Sequence, residues 1–195
     1  MTGEADTISA AVLTMQSQGS SYLYFGHVGQ LLLGEELARQ GVTPSLDYVL
    51  RDVEMRLETA LYLVRDGTAG QAMKAAAQDG SATDRLEALA EDVGLTADTM
   101  TRSVKEVLSD LEDRGASFAP ALAADGSLTA AGYGILKDGS LAAWADREAA
   151  LGINLILSQV DADVVELTPE GESPAALRVV GARSVVRPVF SGDKL

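Results

Sequence analysis

Two long apolar segments on either side of Gly41 are the strongest folding signal in the sequence. The first, residues 22–40, is apolar on too many sides for a surface helix, which predicts a central core helix. The second, residues 43–64, opens with Thr43-Pro44, a pair typical of a helix N-cap and first turn. Its apolar residues follow at near-heptad spacing: Leu46, Leu50, Val53, Leu57, Leu61 and Val64. Together the two segments predict an antiparallel helical hairpin.

The rest of the chain predicts further helices and a short β-rich end. Three- and four-residue spacing predicts helices over residues 6–16, 69–78, 84–93 and 97–114, with Gly115 as a C-cap. Residues 116–128 interrupt the periodicity around Pro120 and indicate a hinge or boundary. A last helix is predicted to follow Asp138-Gly139-Ser140 and to run to Ile156. Short strands are predicted at residues 164–167, 177–180 and 185–190, with Pro188 limiting the last one to an edge.

These elements predict an α+β fold that is predominantly helical and ends in a short antiparallel β segment. The expected division is a helical domain over residues 1–115, followed by a helix and C-terminal strands over residues 116–195. One continuous domain is the alternative. The 195 residues, 47% of them apolar, are enough for either arrangement to bury a core.

Composition excludes several classes of chemistry. The chain has no cysteine, so it has no disulfides, thiolate zinc sites or cysteine nucleophile. Its net charge of −14 disfavours binding to nucleic acid or to anionic membranes. The N-terminus is acidic, and no apolar run approaches the ~18 residues that a spanning helix needs. We therefore expect a cytoplasmic protein without membrane insertion.

Residues 89–105 resemble the helix-turn-helix of winged-helix regulators. Ala90 is small enough for two helices to approach, Gly94 suits the turn, and Thr96 could cap the second helix. A recognition helix there would present these side chains to DNA: Thr99, Thr101, Arg102 and Lys105. Residues 85–115, however, carry four basic and eight acidic side chains, a net charge of −4. That balance argues against nucleic acid as a partner.

Other candidate sites have simpler interpretations. His27 is the single histidine, so it cannot form a multi-histidine metal site, and a structural role is favoured. The neighbouring Tyr22, Tyr24 and Phe25 are expected in the core, or lining a pocket beside His27. The pair Glu35-Glu36 and the group Asp161, Asp163 and Glu166 are typical of solvated surface. No catalytic residue, metal ligand or cofactor is therefore predicted.

The favoured function is a non-enzymatic interaction or assembly protein, either a homo-oligomer or part of a larger particle. The predicted contact residues lie on the near-heptad helix and the last strand: Leu46, Leu50, Leu57, Leu61, Val185, Val189 and Phe190. One alternative is a helix-turn-helix transcriptional regulator. A second is a small-molecule-binding protein or enzyme with a pocket near Tyr24 and His27.

Overall fold

The computed structural model describes residues 1–92, 100–160, 163–167, 175–187 and 189. A five-stranded mixed sheet in the order β1-β2-β3-β4-β5 organises most of them. Its strands are β1 (Gln30–Gly34), β2 (Ala60–Arg65), β3 (Ala116–Asp125), β4 (Ser127–Lys137) and β5 (Ser140–Ala145). Strands β1, β2 and β3 are parallel, whereas β3, β4 and β5 form an antiparallel meander. Strands β6 (Asp163–Leu167) and β7 (Ala175–Val179) form a separate antiparallel pair.

The helices connect the strands and cover the sheet. Helix α1 (Ile8–Ser17) precedes the sheet, and α2 (Glu35–Gln40) and α3 (Thr43–Arg51) lie between β1 and β2. Among the described residues, α4 (Ala69–Ala76), α5 (Ala82–Asp92) and α6 (Val104–Arg114) lie between β2 and β3, with a short 3-10 helix at Ala77–Asp79. Helix α7 (Arg147–Ile156) follows β5.

Both faces of the sheet are buried by helices. On one face, α3 and α6 pack their apolar residues, Leu46, Val49, Val104 and Val107, against Leu61 and Leu63 of β2. On the other face, α4 and α5 pack against Tyr62 and Val64 of the same strand. Alternate residues of β2 thus serve two cores, which is why the strand is a continuous apolar run rather than an alternating one.

The predicted helical hairpin is wrong, and so is the predominantly helical fold class. Residues 22–40 contain a loop, strand β1 and the short helix α2 in place of one core helix. The three consecutive leucines of β1, Leu31, Leu32 and Leu33, face both sides of a parallel sheet. Periodicity alone cannot distinguish such a buried strand from a buried helix.

The predicted long helix over residues 43–64 ends early, at Arg51. Asp52 has an extended backbone, with φ −73° and ψ 129°, and its side chain accepts hydrogen bonds from the backbone N–H groups of Glu54 and Met55. This local turn replaces the continuing helical hydrogen bonds. The chain then reverses into β2, which contains Leu61.

The predicted interruption at residues 116–128 is strand β3, the middle strand of the sheet. Its register shifts beside Pro120, which provides the irregularity that proline needs inside a sheet. The predicted last helix begins only at Arg147, because residues 140–145 form β5. Asp138 and Gly139, both at positive φ, form the two-residue turn of the β-hairpin between β4 and β5. An Asp-Gly pair is a strong sequence signal for such a turn.

Several local predictions are confirmed. Helices α1, α4 and α5 lie within two residues of the expected bounds, and Gly115 caps α6 in the left-handed conformation, with φ 67°. Helix α6 itself begins later than expected, capped by Ser103. The turn proposed for the helix-turn-helix, residues 93–99, lies outside the described residues.

Candidate functional site

An apolar groove lies beside β1, between α1 and α3, with a volume of about 880 Å³. Its lining includes Ile8, Phe25, Leu31, Leu33, Pro44 and Tyr48. Leu31 and Leu33 are two residues apart on β1, so both side chains point to the same face of the sheet. The groove therefore runs along the edge strand, with α3 as one wall.

The N-terminal arm, residues 1–28, forms the other wall. One anchor of this arm is Glu54, whose carboxylate accepts hydrogen bonds from the Tyr22 hydroxyl at 2.7 Å and from the backbone N–H of Phe25 at 2.9 Å. The hydrogen bond to Glu54, together with its negative charge, raises the pKa of Tyr22. Helix α1 has no fully buried side chain. These two hydrogen bonds, together with one from the Thr59 hydroxyl to the carbonyl of Val28, attach this wall to the rest of the fold.

Within the part of the chain that the structure describes, one edge of β1 is unpaired. Strand β1 ends the sheet, and the carbonyl of Gly29 accepts from the N–H of Ala60 in β2. Since successive residues of a strand direct their polar groups to opposite sides, Leu31 and Leu33 face β2, while Gln30 and Leu32 face away from it. Within the described ranges, no hydrogen bond to the outward backbone groups of Gln30 and Leu32 is seen.

The rim of the groove is acidic. Asp6, Asp47 and Asp52 line it, with Arg51 as the basic residue among the described lining. Arg51 is already paired, because its Nε lies 2.7 Å from Asp47 Oδ2 in an exposed i, i+4 ion pair. The net potential at the rim is therefore negative.

Glu35 connects three elements just beyond the carboxyl end of β1. Its carboxylate accepts from the backbone N–H of Asp66, from Arg39 and from the indole N–H of Trp144 on β5. Burial by itself would raise the pKa of Glu35, but these hydrogen bonds outweigh it and hold the pKa below its ordinary value. Glu35 was expected on the solvated surface. Its structural role depends on a partner 109 residues away, which no local pattern could indicate.

The predicted near-heptad stripe does not exist as one surface. Leu46 on α3 and Leu61 on β2 are both fully buried in the core. Leu57, in the loop between these elements, packs against the same core. Leu50 on α3 is 48% exposed, so it remains available for contact.

The C-terminal candidates are exposed where the structure describes them. Val185 is 69% and Val189 80% exposed, and neither belongs to a strand. Phe190 lies outside the described residues. These positions remain predicted contact residues.

The nucleic-acid candidates that the structure describes do not form a recognition surface. Thr99 lies outside the described residues, while Thr101 and Lys105 are exposed. Arg102 is buried: its Nη2 lies 2.6 Å from Asp110 Oδ2, and its guanidinium lies over the ring of Phe118. Arg102, which was expected to contact DNA, is instead buried and ion-paired in the protein interior.

The predicted pocket at Tyr24 and His27 is also absent as a buried site. Both side chains are exposed and meet edge to face, with ring centroids 5.7 Å apart. Tyr22 is 71% exposed, so the expected aromatic core is wrong for both tyrosines of the arm. Phe25 alone of the three aromatics turns into the groove.

Comparison with known proteins gives a family match and a structural match. The family model described as the spore germination protein N-terminal domain matches residues 1–124. The match ends one residue before the end of β3 and includes the whole groove and β1. No functionally curated protein matches the sequence.

A crystal structure of the GerBC protein has a similar fold. Its TM-score is 0.68 at 16% sequence identity, and the alignment covers 91% of this chain and 52% of that one. The chain thus spans about half the length of GerBC. Within the described residues, no helix combines the length and hydrophobicity needed to cross a bilayer.

The family match contradicts two predictions made from sequence. The matching family is one of spore germination proteins, so the interpretation as a helix-turn-helix transcriptional regulator is wrong. In that family, the C-subunits of spore germination receptors are membrane-associated lipoproteins. The expected cytoplasmic location is therefore wrong as well. The match covers more than half of the sequence, and the chain therefore belongs to the spore germination protein N-terminal domain family.

Proposed function

We propose that this chain is part of a germinant receptor subunit that acts by binding other subunits of the receptor. The observation that carries the proposal is the family match over residues 1–124. The fold shared with GerBC supports it. The sequence predicts an interaction or assembly protein, which agrees with the family. The proposal adds that the partners are other subunits of the receptor.

The surface of the matched region supports a binding role. Within residues 1–124, the groove beside β1 is open and apolar, and its neighbour Leu50 is 48% exposed. Clustered apolar surface on a folded protein is a common feature of interaction sites. The groove also adjoins an unpaired strand edge. Proteins usually protect such an edge unless it pairs with another chain.

Reciprocal co-isolation tests the proposal. The tagged chain is expressed at its native level in its source cells, and the complex is extracted from membranes in mild detergent. Mass spectrometry should identify other germinant receptor subunits in constant ratio to the chain, and tagging one of those subunits should recover the chain. An untagged strain provides the background.

The interface between the chain and the other subunits is also expected to be stable. A stable interface of this kind buries roughly 1,200–2,000 Å² and should survive dilution during purification. Recovery of the chain alone, in both directions and across detergents that keep the other subunits together, would overturn the proposal.

A further inference from the structure

We propose that the free edge of β1 and the adjoining groove bind an extended segment of another receptor subunit, one that carries alternate apolar side chains and basic residues. The inference rests on the proposed function and names the chemistry of the partner. Three features of the site specify it: the backbone edge, the spacing of the apolar floor, and the charge of the rim.

The backbone edge calls for an extended partner. Gln30 and Leu32 direct their N–H and C=O groups away from β2, and no described residue bonds to them there. A helix satisfies its own backbone groups and cannot pair with these. An added strand can, because strand addition supplies main-chain hydrogen bonds along the whole edge.

The apolar floor calls for alternate apolar side chains. Leu31 and Leu33 lie on the same face of β1, with a pitch of about 6.6–6.8 Å between them. A strand added outside β1 has the same pitch, so every second side chain lies over the groove. Phe25, Val28 and Tyr48 on the walls then enclose those side chains.

The rim calls for a basic partner and disfavours a second copy of this chain. Asp6 and Asp52 are not ion-paired within the described residues, and Arg51 is neutralised by Asp47. Two copies would each bring a net charge of −14 to the contact. Electrostatic complementarity therefore favours a different chain with lysine or arginine between its apolar residues.

A short synthetic peptide of alternating lysine and valine is the probe. Binding is measured by fluorescence anisotropy in about 150 mM salt, where exposed charges more than a Debye length apart are largely screened. Two control peptides carry the same charge. One has methyl groups on the backbone nitrogens of all its valines, and the other on those of all its lysines.

Successive residues of a strand direct their N–H groups to opposite sides, so either the valine amides or the lysine amides of the peptide face β1. A peptide that binds as an added strand is therefore affected by only one of the two methylation patterns. Exactly one methylated peptide should lose binding by at least about tenfold, while the other stays close to the unmodified peptide. Attraction between an acidic protein and a basic peptide would be nearly equal for all three. Equal binding of both methylated peptides would overturn the inference.

A variant tests the same hydrogen bonds from the protein side. Gln30→Pro removes an outward N–H while leaving the ladder to β2 intact, and proline is tolerated at such edge positions. We expect about a tenfold loss of peptide affinity. Lys74→Ala, on α4 at the opposite face of the sheet, should bind like the unmodified chain. Circular dichroism checks folding, and if Gln30→Pro fails to fold, the methylated peptides still decide.

The outcomes separate this inference from the proposed function. If receptor subunits co-isolate equally with the chain and with folded Gln30→Pro, the edge is wrong and the assembly role stands. If the peptide binds as expected but no receptor subunit co-isolates, the proposed function fails while the edge still binds strands. If sedimentation shows a homodimer that Gln30→Pro dissociates, the occupant is a second copy and the inference is wrong.

Discussion

The guanidinium of Arg102 donates to the carboxylate of Asp110 over 2.6 Å, with side chains only 10% and 21% exposed. Asp110 also meets Arg114 at 3.2 Å and the Ser117 hydroxyl at 3.3 Å. The pair connects the segment before α6 to the helix itself, and Phe118 of β3 covers the guanidinium, with 4.4 Å between its ring centroid and Arg102 Cζ. The contact thus anchors α6 against the sheet.

Replacing Arg102 should therefore destabilise the fold. Arg102→Met breaks a mostly buried ion pair, for which costs of 3–5 kcal/mol are typical. We expect about 3 kcal/mol, at the low end, because Asp110 keeps Arg114 and Ser117. Urea denaturation measures the change, and Lys105→Met, at an exposed position in the first turn of α6, should stay within about 0.5 kcal/mol. A loss below about 1 kcal/mol for Arg102→Met would show that the pair is not structural.

Two leucines of α3 make a matched pair. Leu46 is fully buried and Leu50 is 48% exposed, although the two lie one helical turn apart. Leu46→Ala should cost roughly 2–5 kcal/mol because it leaves a cavity in the core. Leu50→Ala should cost less than about 1 kcal/mol in the isolated chain. Similar losses for the two variants, by chemical denaturation, would contradict the placement of α3.

Glu35 gives the fold a pH dependence of known sign. Its pKa is lower in the folded chain, through Asp66, Arg39 and Trp144, than in an unfolded chain, where about 4.3 is ordinary. The stability it contributes is therefore fully present above the unfolded pKa and is lost as the pH falls through the folded pKa. The stability difference between the unmodified chain and Glu35→Gln should shrink from pH 6 towards acid. A difference that stays constant from pH 6 to pH 3 would contradict the role given to Glu35.

Two glycines at positive φ differ in the space around them. Gly126, φ 72°, has nothing within 4 Å of an added Cβ, whereas at Gly132, φ 80°, the Cβ would overlap the carbonyl oxygen of Ala145. Gly126→Ala should cost about 1–2 kcal/mol for the left-handed backbone alone. Gly132→Ala should add about 1–3 kcal/mol of overpacking. Equal thermal midpoints for the two variants would contradict the close approach of β4 and the end of β5.

Local sequence signals predicted helix ends that depend on neighbouring residues only. Helix α4 begins at Ala69 and α6 is capped by Gly115, as the sequence predicts. The parallel strands β1 and β2 carry no alternation, because their apolar residues face both sides of the sheet, so a period-2 pattern could not indicate them. The near-heptad spacing from Leu46 to Leu61 was a coincidence of a helix, a turn and a strand.

The candidate site could not be predicted because it depends on distant partners. Tyr22 reaches Glu54 across 32 residues, and the free edge of β1 exists only because β2 pairs on the other side. The hairpin of β4 and β5, in contrast, has a local signal, since Asp138-Gly139 between apolar segments indicates a β-hairpin.

Carbodiimide cross-linking of the isolated receptor complex tests the central claim most directly, because it joins carboxylates to nearby lysines. If another subunit lies along β1, Asp47 and Asp52 at the rim should be cross-linked to lysines of that subunit. Asp84 and Glu87, exposed on α5 at the opposite face, should not. Cross-links to the partner from α5 alone, or none from this chain while the other subunits cross-link to one another, would contradict the account.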